Sequence, residues 1–243
     1  MVYRYALAKE DYSDLSTGGV LYSAPGFPAF PVRLASEIFQ RALRLGPNQP
    51  TQVWDPCCGS GYLLMALSFL HRRDITEIFG TDLDNAALKL ARQNLNLLSE
   101  NGLEARSAEL HDRSERFSKS VYAEAASAAF RLSDKLEQQG GPIPHSTAQA
   151  DVFDPNQLRN VLGARRPKIV ITDVPYGERT AWSGPHRTAG IPGMLRALGA
   201  VLDDDAVIAV STRGRKVRTD ADLRAITSFK IGTRAVAYFR PPR

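Results

Sequence analysis

Residues 51–61, TQVWDPCCGSG, constrain this chain more than any other stretch. A short apolar run, Val53 and Trp54, ends in the carboxylate of Asp55. A loop carrying Gly59 and Gly61 follows, and then the apolar, helix-compatible run YLLMALSFL. That order is strand, tight turn, helix. Glycines in such a turn let backbone N–H groups come close to a ligand, and the helix N-terminus behind them favours a polar or anionic group. The expectation is a nucleotide-type cofactor over the first strand of a doubly wound sheet. A plain strand-to-helix connection would read similarly, so the weight falls on what comes next.

EIFGTDLDN supplies a second strand ending in Asp82, 21 residues beyond Gly61. At that spacing a strand-end carboxylate can hydrogen-bond the ribose hydroxyls of an adenosine cofactor. Asp84 is placed to cap a helix over AALKLARQNLNLLSE, which Asn101 and Gly102 end. Within 103–146, Phe117, Val121, Ala125, Ala128, Leu132 and Leu136 recur at helical spacing, which predicts a long inserted amphipathic helix closed by Gly140, Gly141, Pro142 and Pro144. It reads either as an extra packing helix or as a substrate-facing insertion. STAQADVFDP then predicts a third strand ending at Asp151, and KIVITDVPYG a fourth ending at Asp173. A helix near 191–201, a strand over 206–212, a helix over 220–227 and a strand over 233–239 follow.

Ahead of this alternation, residues 1–30 mix Tyr and Phe with Gly, Pro and Ser and read as an irregular arm. Pro31 suits the first turn of a helix, and Leu34, Ile38 and Leu45, with Phe39 and Leu43 on a neighbouring row, predict an amphipathic helix over 31–45. The division expected is an arm and helix over 1–45, packed on an α/β domain over 46–243. Strands alternating with helices imply parallel βαβ units in a three-layer sandwich, with the ligand crevice at the carboxyl ends of the strands. Asp55, Asp82, Asp151 and Asp173 all fall at that edge.

A chain of 243 residues, 43% hydrophobic and 23% charged, suits one such domain with additions. Its net charge of +5 is carried mostly by arginine, which favours a polyanionic partner. Cys57 and Cys58, the only cysteines, are adjacent, which disfavours a disulfide between them and suits a reducing interior. The N-terminus has no apolar stretch of signal-peptide length and no run approaches a membrane span, so a cytoplasmic location is expected. His71, His111, His145 and His186 are scattered without metal-ligand spacing, so no metal is expected.

From about residue 50 to 240 the chain resembles the class I S-adenosylmethionine-dependent methyltransferases. The resemblance implies a Rossmann-like, mostly parallel seven-stranded sheet. DPCCGSG is similar to the family's first motif, which would make Asp55, Pro56, Cys57, Gly59, Ser60 and Gly61 cofactor-binding, with Cys57 where the commoner pattern has a glycine. Asp82, Leu83 and Asp84 resemble the ribose motif. ADVFD at 150–154 resembles the adenine-reading segment, in which Asp151 would accept from the exocyclic amine and Val152 or Phe153 would pack on the ring. Asp173, Val174, Pro175 and Tyr176 resemble the catalytic Asp/Asn-Pro-Pro-Tyr motif of enzymes that methylate amino groups, with Val174 departing from its first proline. The extended DVPYGER is closest to the version in guanine-N2 methyltransferases of structured RNA. The whole chain resembles methyltransferases that act on a guanine of large-subunit ribosomal RNA and confer resistance to avilamycin-type antibiotics. Ribosomal RNA or the large subunit would then be the partner of a monomeric enzyme.

The chemistry agrees with the motif. A purine's exocyclic amine is a poor nucleophile, so the site must orient it and accept its proton; Asp173 and nearby carbonyls can do so while Tyr176 stacks on an extruded base. Cys57 and Cys58, both in the cofactor loop, read as small packing residues in preference to nucleophiles. Arg179 and Arg187 after the catalytic loop, and Arg213, Arg215 and Lys216 after the fifth strand, are candidate phosphate contacts, with Arg33 a further candidate. An NAD-dependent oxidoreductase would want a third glycine where Leu64 stands. Methylation of adenine or of protein glutamine uses the same four-residue motif. A non-catalytic RNA-binding module would explain the arginines and leave the row of aspartates without a role.

Overall fold

Pro31, in extended geometry, precedes α1 (Val32–Leu45), whose apolar buried face is Leu34, Ala35, Ile38, Phe39 and Ala42. Leu34, Ile38 and Phe39 are the stripe expected from the sequence, whereas Leu43 and Leu45 are only half-buried. Gly46 follows its last turn. The computed structural model describes residues 3–8, 10–15, 19–47, 49–174, 182 and 184–243, apart from the side chain of Arg187. Its strands are β1 (Thr51–Asp55), β2 (Ile75–Asp82), β3 (His145–Gln149), β4 (Ile169–Asp173), β5 (Val207–Arg213), β6 (Thr227–Ile231) and β7 (Arg234–Phe239). The remaining helices are α2 (Tyr62–His71), α3 (Asn85–Leu95), α4 (Gly102–Phe117), α5 (Ser120–Gln138), α6 (Pro155–Leu162) and α7 (Gly190–Gly199).

The strands form one seven-stranded sheet in the order β3-β2-β1-β4-β5-β7-β6. The first five are parallel, and β7 runs antiparallel to both β5 and β6. Strand order reverses between β1 and β4, the switch point where open α/β sheets leave a crevice at their carboxyl edge. One face packs Val53, Ile78, Ile169, Val207 and Val236 against α1, α2 and α3. The other packs Trp54, Phe79, Val170 and Ile208 against α6 and α7.

The N-terminal arm is held by polar contacts from buried side chains. Glu37 on α1, fully buried, accepts from the backbone N–H groups of Arg4, Tyr5 and Ala6. Arg106 on α4 donates to the carbonyls of Gly19 and Val20. Tyr62 donates to the carbonyl of Leu15.

Three sequence expectations need correction. The insertion is a hairpin of two helices, not one long helix: Ser118 takes a left-handed conformation (φ 50°) between α4 and α5. Ala125, Ala128, Leu132 and Leu136 are buried as the spacing implied, whereas Phe117 and Val121 lie 52% and 58% exposed at the hairpin's tip. The apolar periodicity ran through the turn because no Gly or Pro marks it. Gly102 does not end a helix but begins α4; a Cβ there would lie 2.1 Å from the Asn96 carbonyl oxygen, so only glycine allows so close a start. The helix expected over 220–227 is absent: residues 220–226 form a short turn and irregular backbone, and the seventh strand, β6, starts at Thr227 and pairs along β7 through the Gly232–Thr233 connection. The sequence reading also passed over α6, an eight-residue helix that Asp154 caps by accepting from the N–H groups of Asn156 and Gln157.

Candidate active site

β1, β2 and β4 each deliver a carboxylate to the sheet's carboxyl edge, and the segment just after β3 delivers a fourth. All four, Asp55, Asp82, Asp151 and Asp173, line one cavity of about 420 Å³. Its floor is the loop Pro56–Ser60, where Gly59 (φ 52°) is open toward the space: a Cβ built there would meet nothing within 4 Å. Asp82 organises this floor, accepting from Gly59 N–H at 2.8 Å through one oxygen and from Asp84 N–H at 3.0 Å through the other. Asp55 accepts from Cys57 N–H at 3.0 Å. Asp151 accepts from Phe153 N–H at 2.9 Å, and Gln157 holds its own N–H from below.

The electrostatics are unbalanced. Burial pushes the Asp55 carboxyl up to about 7, the neighbouring charges of Asp82 and Asp173 adding to it against the hydrogen bond from Cys57. Burial also raises Asp82 and Asp173, and Arg234 and Arg213 oppose the rise at Asp173. Two buried carboxylates, Asp55 and Asp151, with the half-buried Asp82 and Asp173 beside them, face one cavity and favour a ligand that carries positive charge. Burial and the nearby carboxylates push the Cys57 and Cys58 thiols well above their ordinary range, so neither is a thiolate nucleophile at neutral pH. Among the described residues, no group of three His, Cys, Asp or Glu side chains is arranged to hold a metal, and no helix is long and apolar enough to cross a membrane.

Of the expected cofactor residues, Asp55, Pro56, Cys57, Gly59, Ser60, Asp82, Leu83, Asp84, Asp151, Val152 and Phe153 line this cavity; Gly61 instead caps α2. Asp173 lines it too, and Val174 is buried behind it. Pro175, Tyr176 and Arg179 lie outside the described residues, as does the side chain of Arg187. Arg213, Arg215 and Lys216 come together with Arg218 around a second cavity of about 450 Å³. Arg33 is elsewhere: it donates to the carbonyls of Ala6 and Leu7 and stacks over Tyr3, clamping the arm.

Two groups of site residues escaped the sequence reading. Pro25, Gly26, Phe27, Pro28 and Phe30 of the arm form a wall of the cavity, and Trp182 lines it with its ring 5.0 Å from that of Phe153. The crowding of proline with phenylalanine in APGFPAF was the available signal. Arg234, which pairs with Asp173, had none, because an arginine opening a late antiparallel strand resembles any surface residue.

A family model described as rRNA methyltransferase AviRa matches residues 1–234. A curated relative from Streptomyces viridochromogenes, 23S rRNA (guanine(2535)-N(1))-methyltransferase, is 52% identical over 239 residues, which is 98% of this chain and 95% of the relative. The solved structure of rRNA methyltransferase aviRa from the same organism superposes with a TM-score of 0.92 at 50% identity, covering 99% of this chain and 97% of that one.

Proposed function

Because the chain belongs to the AviRa family of rRNA methyltransferases, we propose that it transfers a methyl group from S-adenosylmethionine to a guanine base of 23S rRNA. The observation that carries this is the meeting of Asp55, Asp82, Asp151 and Asp173 around one cavity. When bound, S-adenosylmethionine supplies a sulfonium methyl carbon open to attack, the C–S electron pair leaving with sulfur. Asp82 would hold the ribose hydroxyls, and Asp151 the adenine amine, with Phe153 and Trp182 packed on the ring. The Gly59 turn leaves room for the ligand, and the buried carboxylates, Asp55 foremost, suit its positive charge.

Asp173 is the group placed to take the proton from the base. Guanine presents N1–H and the N2 amine side by side on one edge, so one carboxylate can meet either. Neither nitrogen is a good nucleophile while its lone pair is delocalised, and N1 becomes one only as its proton leaves to an acceptor. We favour N1, the position in the name of the 52% identical relative, over the N2 position expected from DVPYGER. The basic cavity of Arg213, Arg215, Lys216 and Arg218 opens at the same strand ends and would take RNA phosphates. Resistance to avilamycin-type antibiotics, expected from the sequence resemblance, completes the proposal.

The test is transfer of labelled methyl from S-adenosylmethionine to 23S rRNA, followed by nucleoside analysis and by antibiotic challenge of a susceptible host expressing the protein. Label in N1-methylguanosine together with raised tolerance is expected. Label in N2-methylguanosine would move the reaction to the exocyclic amine, and unlabelled RNA would overturn the proposal.

A further inference from the structure

Arg234 opens β7, two strands away from β4, yet its side chain crosses above β5 to ion-pair Asp173 through Nη1 and Oδ1. It is only 7% exposed. Its guanidinium carbon lies 4.6 Å over the ring of Phe30, which forms part of the cavity wall. The arginine is thus fixed on two sides, by a carboxylate and by an aromatic face, both belonging to the site. A buried cation beside a cavity built to attract positive charge works against the ligand, and a packing role would be filled at less electrostatic cost by an apolar side chain. We infer that Arg234 is the positioning residue of the reaction: by holding Oδ1 it sets the plane of the Asp173 carboxylate and leaves Oδ2 directed to receive the guanine proton. This rests on the reading of Asp173 as the proton acceptor.

The step balances simply. The guanine nitrogen's electron pair forms the new N–C bond, the C–S pair leaves with the sulfur of S-adenosylmethionine, and the nitrogen's proton passes to Asp173 and then to water. Asp173 must be ionised to accept it. The charged groups around it are Arg234 on β7, Arg213 on β5 and Asp55 on β1. Burial and Asp55 favour the protonated acid, whereas the two arginines favour the carboxylate. Removing Arg234 therefore raises the pH at which Asp173 becomes competent.

The deciding experiment compares wild type, Asp173→Ala, Arg234→Met and Arg234→Lys in methyl transfer to 23S rRNA across pH, with S-adenosylmethionine affinity and melting temperature measured in parallel. For Arg234→Met the expected result is a kcat about tenfold to a hundredfold lower, with the acid limb of kcat/KM moved to higher pH and cofactor affinity changed less than about threefold. Arg234→Lys keeps the charge but loses the fork, so its acid limb stays in place while kcat falls about fivefold or more. An active Asp173→Ala would overturn the acceptor reading itself. An inactive Asp173→Ala beside an Arg234→Met enzyme with unchanged kcat and acid limb would overturn only the role of Arg234. If Arg234→Met does not fold, Arg234→Lys decides alone, and a wild-type kcat there removes the assignment.

Discussion

Asn94 on α3 bonds the backbone of Tyr22 in both directions: its Oδ1 accepts from Tyr22 N–H at 2.8 Å and its Nδ2 donates to the Tyr22 carbonyl at 3.0 Å. The same amide nitrogen donates to the Ser60 carbonyl at 2.9 Å. One buried side chain therefore ties the N-terminal arm to the glycine loop that floors the cavity.

Asn94→Ala should cost about 2–3 kcal/mol, since it leaves three buried backbone groups without partners. Melting should fall by roughly 5–10 °C, and cofactor affinity should fall with it because both the floor and the arm are released. Asn94→Asp keeps the acceptor but sets a buried carboxylate oxygen against the Tyr22 and Ser60 carbonyls, so it should fall below Asn94→Ala in thermal and binding measurements. Wild-type melting for Asn94→Ala would show that the arm does not depend on this contact.

Glu37 anchors the other end of the arm. Burial would raise its carboxyl, but the N–H groups of Ala6, Arg4 and Tyr5, with Arg41, outweigh burial and hold it below its usual value. A depressed carboxylate stabilises the fold above its unfolded value of 4.5, and that contribution is lost as pH falls through the lower folded value. Glu37→Gln, which turns an amide toward backbone donors, should lose on the order of 2–4 kcal/mol at neutral pH. Hydrogen exchange should then accelerate at residues 4–6. Retained protection there would separate Glu37 from the arm.

Asp55 makes cofactor binding depend on pH. Its carboxyl lies near 7, and a cationic ligand favours the ionised form, so affinity for S-adenosylmethionine should weaken about tenfold for each pH unit below 7 and level off above it. The sign for the ligand-free fold is opposite. A raised carboxyl stabilises the folded state least when ionised, so this contribution declines as pH rises from the ordinary value of 3.8 through 7. Asp55→Asn should therefore be more stable than wild type at pH 8, by on the order of 4 kcal/mol, and by less than half of that at pH 5, while binding the cofactor poorly at both. Calorimetric titration and melting at the two pH values check both halves.

The basic cavity should report itself through salt. Replacing Arg215, Lys216 and Arg218 with alanine removes up to three phosphate contacts. The slope of log affinity for 23S rRNA against log salt should then flatten by about 2 units, with S-adenosylmethionine affinity unchanged. An unaltered slope would make these side chains ordinary surface.

Local pattern was enough to place β1, β2, β4, β5, β7, α1 and α7, because each carries its own periodicity and its own breakers. Pattern also put four aspartates at strand ends, and parallel strands alternating with helices bring all such ends to one edge. The cofactor half of the site was legible for that reason. Contacts across strands and from the arm were not. Arg234 is 61 residues from Asp173, and only the β4-β5-β7 order with its reversal of direction brings them together. Phe27 and Phe30 reach the cavity because Glu37, Asn94 and Arg106 bond the backbone of an irregular arm, which has no periodicity to read. The break at Ser118 and the strand at 227–231 followed tertiary packing over local preference: a helix folded back where its partner face required it, and a segment became strand because β7 offered an open edge. The amino-acid order determined which groups stand at the carboxyl edge; the folding of distant segments onto that edge decided which of them are held, charged and aimed.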